Sequence, residues 1–215
     1  MNLPFYLTGG TALGRYYLGH RYSEDLDFFV NADPRYNDYI SILNKEIKKS
    51  FDLNIEHCLY SDDFTRLFIN DEEGFLKIEF VNEVPYRAGN PVRMNFGLLD
   101  TPLNILSNKL TALVGRDEPK DLYDIIHIAL NYSFNWTEVF HDAKKKAALN
   151  EIDIEERFSH FPLHSFEHVD WMITPPEPDK LANLLKKVAD DFLFGKLNSL
   201  GAGRPILKEA TPNLL

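Results

Sequence analysis

Asp25 and Asp27 are the residues best placed to do chemistry, standing two apart in Ser23-Glu24-Asp25-Leu26-Asp27-Phe28-Phe29-Val30. On a strand they project from one face while Leu26 and Phe28 take the other. Two like charges side by side repel, and a hard divalent cation, Mg²⁺ or Mn²⁺, relieves that repulsion. Just upstream, Gly9-Gly10-Thr11 follows the short apolar run Phe5-Tyr6-Leu7 and precedes Ala12 to Leu18, which can continue as a helix. Glycines let a ligand approach the backbone closely, and the unpaired N–H groups at a helix start favour an anion. Each signal alone is weak, because Gly-Gly is most often a turn and Asp-x-Asp most often a solvated edge or a cap. Together, a phosphate cradle followed by a carboxylate pair on the adjacent strand is what a triphosphate carrying its metal needs.

A third acid and a basic cluster lie downstream. In Lys77-Ile78-Glu79-Phe80-Val81, strand alternation puts Lys77 and Glu79 on one face and Ile78 and Phe80 on the other. The bland reading of Glu79 is a solvated glutamate at a sheet edge. Farther on, Lys109 and Arg116 are seven residues apart and share a helix face, as do Asp121 and Asp124 at a spacing of three. Over a cleft, Lys109 neutralises triphosphate charge while Asp121 or Asp124 holds Arg116. The alternative is an interhelical salt-bridge network that only locks two helices together.

Gly9-Gly10-Thr11-Ala12-Leu13, His20-Arg21-Tyr22-Ser23 and Asp25-Leu26-Asp27-Phe28-Phe29 together resemble the signature of the AbiEii/AbiGii nucleotidyltransferase-like toxins, members of the DNA polymerase β superfamily. Lys109-Leu110-Thr111-Ala112-Leu113-Val114-Gly115-Arg116 with Lys120-Asp121-Leu122-Tyr123-Asp124 resembles the downstream helical motif of the same family. The resemblance implies an α+β fold with a mixed-sheet catalytic core followed by a helical C-terminal half. It also implies two-metal transfer of a nucleoside monophosphate from a nucleoside triphosphate to an acceptor hydroxyl, with a tRNA end among the acceptors. A role as the toxic half of a toxin–antitoxin or abortive-infection pair, with a cognate antitoxin as partner, follows from the same likeness. Carried onto this chain, the catalytic set is Asp25, Asp27, Glu79 and Lys109, with Asp25, Asp27 and Glu79 as metal ligands. The nucleotide-binding set is Gly9, Gly10, Thr11, Ser23, Arg116, Lys120, Asp121 and Asp124, with Ser23 orienting Asp25.

The elements that must position these residues can be traced in order. Tyr36, Tyr39, Ile40, Leu43 and Ile47 recur at helical spacing, and Asp52 to Leu59, Phe64 to Ile69 and Phe75 to Val81 alternate as a meander of strands, the last two joined by a turn from Asp71 to Gly74. Asn82 to Asp100, with two prolines and two glycines, is irregular chain with room for one or two short strands. Thr101-Pro102 caps a helix through about Val114, and a second begins at Asp117-Glu118-Pro119. Trp136 to Leu149 and Ile154 to Phe161 are further helices, Leu181 to Phe192 is amphipathic, and Gly201 to Leu215 reads as a tail. The division falls at residue 100: a nucleotidyltransferase core over 1–100 and a helical domain over 101–215. His160, His164 and His168 are spaced by four, but Pro162 interrupts the helix that a metal stripe needs.

Composition sets the outer limits. With 44% hydrophobic and 26% charged residues the chain is ordinary globular sequence, and its one cysteine excludes an internal disulfide framework. No apolar run is long enough to span a membrane and the N-terminus has no basic, apolar leader, which makes the cytoplasm the default compartment. A net charge of −10 argues against a broad nonspecific nucleic-acid surface. Lys48-Lys49, Lys144-Lys145-Lys146 and Lys186-Lys187 each read as a solvated helix face. Two rival readings stand beside nucleotidyl transfer. A sugar-nucleotide glycosyltransferase shares the Asp-x-Asp but leaves the glycine turn and the basic cluster unexplained. A catalytically inactive nucleotidyltransferase-fold protein would bind or regulate instead.

Overall fold

In the computed structural model, which describes residues 3–71 and 74–213, a seven-stranded mixed sheet carries the acids. The short apolar run folds as β1 (Tyr6–Thr8), followed at once by α1 (Gly9–Leu13) and a wider π-helical turn over Gly14–Leu18. The two glycines are therefore the first residues of the helix. Next come β2 (Asp25–Asn31) and α2 (Tyr36–Ser50). The sheet continues with β3 (Leu59–Tyr60), β4 (Phe64–Asp71), β5 (Gly74–Glu83), β6 (Val92–Met94) and β7 (Gly97–Leu99). Residues 72 and 73 of the turn read between Asp71 and Gly74 lie outside the described residues.

Strand order is β3-β4-β5-β2-β1-β7-β6, with β2 antiparallel to β1 and parallel to β5. That places β2 inside the sheet, its backbone bonded on both sides. Its pleat sends Leu26, Phe28 and Val30 toward α2, where Tyr36, Tyr39 and Ile40 meet Leu67, Ile78 and Phe80 in one core. Leu26 and Phe28 also pack against a second core built largely from helices.

Those helices are α3 (Pro102–Gly115), α4 (Pro119–Asn131), α5 (Trp136–Lys144), α6 (Glu151–His160) and α7 (Pro178–Leu193). Thr101 caps α3 by accepting from the Asn104 N–H, with Pro102 in the first turn, and Asn150 caps α6 in the same way. Trp136, Phe140, Phe158 and Phe192 pack edge to face between α5, α6 and α7. One continuous core joins these helices to Leu7, Leu13 and Leu99, so the helical half packs directly onto β1, α1 and β7.

Three expectations are corrected. Asp52 to Leu59 does not form one strand: Leu53 pairs with Ile69 and Leu59 opens β3 opposite Arg66, but between them Asn54 accepts from the His57 N–H in a tight turn over Ile55–His57. The helix from Trp136 ends at Lys144 instead of running to Leu149. The segment from Gly201 is no loose tail, because Ile206 pairs beside Ser133, Leu207 is buried and the Asn213 N–H donates to the Tyr16 carbonyl at 2.6 Å.

Candidate active site

The register of the central strands assembles the acids. Asp27 lies opposite Thr8 on β1 and opposite Glu79 on β5, and Asp25 lies opposite Lys77. Gly9, at the start of α1, takes φ +67°, and a methyl group there would overlap Asp27 Oδ2. Only glycine satisfies both the left-handed backbone and the close approach. Gly10 serves a different neighbour, since a methyl there would overlap the Arg21 guanidinium. Thr11 donates its hydroxyl to the Asp25 carbonyl, tying the helix start to the acid strand.

A cleft of about 420 Å³ opens between this sheet face and α3, lined by Gly9, Asp27, Glu79, Lys109 and Arg116 among others. Burial, then Glu79 and Asp25, push the Asp27 carboxyl up to about 6, with Lys109 opposing. Glu79 Oε1 accepts from Arg66 Nε at 2.7 Å, and Lys77 Nζ stands 2.7 Å from Asp25 Oδ2 and 3.5 Å from Glu79 Oε1. Among the described residues no three His, Cys, Asp or Glu side chains stand in a metal-holding arrangement. Arg66 and Lys77, from the same sheet, already pair with Glu79 and Asp25, so a cation shared by the three expected acids would displace Lys77. The donor chemistry still fits a hard divalent cation at Asp25 and Asp27: two oxygen donors on one strand face, with Asp27 held in a like-charged setting that a cation relieves.

Behind the cleft wall lies a buried ionic knot. Asp124, fully buried, accepts from His20 Nε2 at 2.7 Å and from Arg21 Nε and Nη2 at 2.6 and 2.8 Å, and Lys109 Nζ lies 2.8 Å away. Burial would raise its pKa, but Lys109, Arg21 and His20 hold it well below the usual carboxylate range. Asp121 accepts from Lys109 at 2.6 Å and from Arg116 Nε at 2.7 Å. Lys109 is therefore paired to two carboxylates while it lines the cleft, and burial acting against its charge is outweighed by Asp124 and Asp121, which raise its pKa.

Not every residue selected from the sequence reaches the cleft. Asp121 and Asp124 stand behind Lys109 and Arg116 and do not line it. Lys120 points elsewhere, its Nζ 6.0 Å from the centre of the Trp171 ring. Ser23 makes no hydrogen bond to Asp25 among the described residues. With Gly10, Thr11 and Arg15 it borders a separate hollow. The sequence reading missed Arg21 and His20 as partners of Asp124, and Phe29, Glu83 and Asn108 as lining of the cleft. Strand alternation from Asp27 and Glu79 could have found Phe29 and Glu83; nothing in the spacing pointed to Asn108.

Comparison with known proteins agrees with this layout. JHP933 from Helicobacter pylori superposes with a TM-score of 0.60 at 20% identity, over 89% of this chain and 84% of that one. MenT4, a nucleotidyltransferase toxin from Mycobacterium tuberculosis, gives 0.50 at 16% identity, over 90% and 75%. These likenesses show the fold. An uncharacterised Aquifex aeolicus protein is 30% identical over 144 residues, a match that spans 66% of each chain, just short of two-thirds of that relative's length. The family model described as nucleotidyl transferase AbiEii toxin, type IV toxin–antitoxin system, matches residues 2–190. With most of its length inside that match, the glycine helix start and the Asp25/Asp27 strand included, the chain belongs to the AbiEii nucleotidyl transferase toxin family.

Proposed function

We propose that the chain transfers a nucleoside monophosphate from a nucleoside triphosphate to an acceptor hydroxyl in a reaction that depends on Mg²⁺ or Mn²⁺. The observation that carries this reading is the contact of Gly9 with Asp27 at the mouth of a cleft whose opposite wall presents Lys109 and Arg116. A phosphate chain laid against Gly9 would meet backbone N–H groups on one side and cations on the other. Arg116 is the more available cation, its side chain 61% exposed although Asp121 holds it in place.

A divalent cation held by Asp25 and Asp27 would offset charge on the α-phosphate and acidify the acceptor hydroxyl. The chain's own groups do the rest. Glu79 takes the hydroxyl proton, the acceptor oxygen bonds to the α-phosphorus, and the bond to the β-phosphate bridging oxygen breaks. Lys109 and Arg116 face the departing pyrophosphate. A tRNA end is the proposed acceptor and a cognate antitoxin the proposed partner, both resting on family membership.

The test is incubation with each α-labelled nucleoside triphosphate, Mg²⁺ and total tRNA. Label should pass to RNA with the wild-type chain and fall at least a hundredfold with Asp27→Asn. Equal labelling by the variant would sink the assignment. A second reading has one specific observation in its favour: Lys77 already bridges Asp25 and Glu79, as a resident counter-charge would in an inactive nucleotide-binding member. Tight nucleotide binding without turnover on any RNA or protein offered would select it.

A further inference from the structure

Lys146, two residues past the end of α5, belongs to a lysine run that reads as a solvated face, yet its side chain is 2% exposed. Its Nζ donates to Asn108 Oδ1 at 2.5 Å and to Asn104 Oδ1 at 2.9 Å, with Glu83 Oε2 at 3.4 Å. Asn104 is otherwise satisfied, accepting from the Ala88 N–H and donating to Asp100. Asn108 and Glu83 both line the cleft.

An ammonium has only hydrogens to offer, so Lys146 fixes which way the Asn108 amide faces. The oxygen turns to Nζ and the Nδ2 group, which makes no hydrogen bond among the described residues, is left as a donor on the cleft side. Glu83 Oε2 faces Lys146 and Asn31 Nδ2, leaving Oε1 as an acceptor beside it.

This pair borders the part of the cleft wall away from Arg116, with Lys109 one residue along α3 from Asn108. Arg116 follows the last residue of α3, while Lys146 joins Asn108, nearer the middle of that helix, to Glu83. Asn108 and Gly115, the residue before Arg116, are separated by about 10 Å of helix rise, and Glu79 and Glu83 by about 13 Å of strand. The two walls run in step. Glu83 repels phosphate there, whereas Phe29, on the same strand face as Asp27, offers the cleft's aromatic surface, and Ala112 leaves room opposite.

We infer that Asn108 and Glu83 read the edge of the nucleobase stacked on Phe29, and that Lys146 is the positioning residue that fixes the Asn108 amide for that purpose. The inference rests on the nucleotide-transfer reading of the same cleft. A donor beside an acceptor complements a base edge that presents an acceptor beside a donor, whereas turning Asn108 into a second acceptor suits guanine, whose N1–H and N2–H₂ are adjacent donors.

The experiment is calorimetric titration of the full chain, with Mg²⁺, against inorganic tripolyphosphate and the four α,β-methylene ribonucleoside triphosphates. Wild type should bind nucleotides tighter than tripolyphosphate and rank the bases. Asn108→Asp, which keeps the Lys146 contact, should shift the ranking toward guanine by about tenfold, and Lys146→Met should flatten it, both with tripolyphosphate affinity unchanged. Unchanged base ranking in Asn108→Asp, or losses equal for tripolyphosphate and nucleotides, overturns the inference while leaving the transfer reading standing. Failure of wild type to bind either probe overturns both. Asn108→Asp decides the matter even if Lys146→Met does not fold.

Discussion

At Asp27, burial and two neighbouring carboxylates push the pKa to about 6, so the cation-free folded chain holds a proton there more tightly than the unfolded chain does. The sign follows: stability at this position is present in acid and is lost as pH rises from the ordinary carboxylate range through about 6. Asp27→Asn should remove that slope and raise metal-free stability at pH 8 by ~1–3 kcal/mol. Urea melts at pH 5 and pH 8 measure it, and a variant as pH-sensitive as wild type would refute the assignment. Mg²⁺ should stabilise wild type at pH 8 and the variant much less, because binding to the native state alone shifts the folding equilibrium. The facing of Asp25 and Asp27 was legible from period-two alternation, since Leu26 and Phe28 had to be buried. The counter-ions were not, because Arg66 and Lys77 reach Glu79 and Asp25 only through strand pairing, which no local spacing encodes.

Between elements, Asp124 of α4 ties the His20–Arg21 segment and α3 together through His20, Arg21 and Lys109. Asp124→Asn leaves buried cations short of a partner and should cost about 3–5 kcal/mol, read as a fall in melting temperature of roughly 10 °C. A drop below 2 °C would show that the pairs contribute nothing net. Because the Asp124 pKa is depressed, the knot's contribution is complete at neutral pH and is lost only in strong acid. Helix starts were legible because Thr101-Pro102 and Glu118-Pro119 are local signals. The strand expected over Asp52 to Leu59 survives only at its two ends, where Leu53 and Leu59 pair with β4, because the tight turn over Ile55–His57 breaks it and leaves Ile55 69% exposed. Lys146 was misread for a related reason: the lysine run was visible, but not the helix end at Lys144 or the turn that carries one lysine inward.

For the whole molecule, the C-terminal segment closes the fold by packing Leu207 into the helical core and bonding Asn213 to the carbonyls of Tyr16 and Tyr17 beside the glycine helix. Deleting residues 203–215 should lower the melting temperature by several degrees, with the burial of Leu207 alone contributing about 2 kcal/mol. A truncated chain with unchanged melting would show the strap to be incidental. The expected split at residue 100 separates sheet from helices in sequence, while in space Leu7, Leu13 and Leu99 share their core with α3 and α4. The Asp124 knot crosses that same boundary. A mouth that opens and shuts needs two jaws that part cheaply, and here the joint between them is riveted by charge in a dry interior. Substrate should therefore enter a slot already shaped to receive it, with selectivity set by the walls and not by a closing movement.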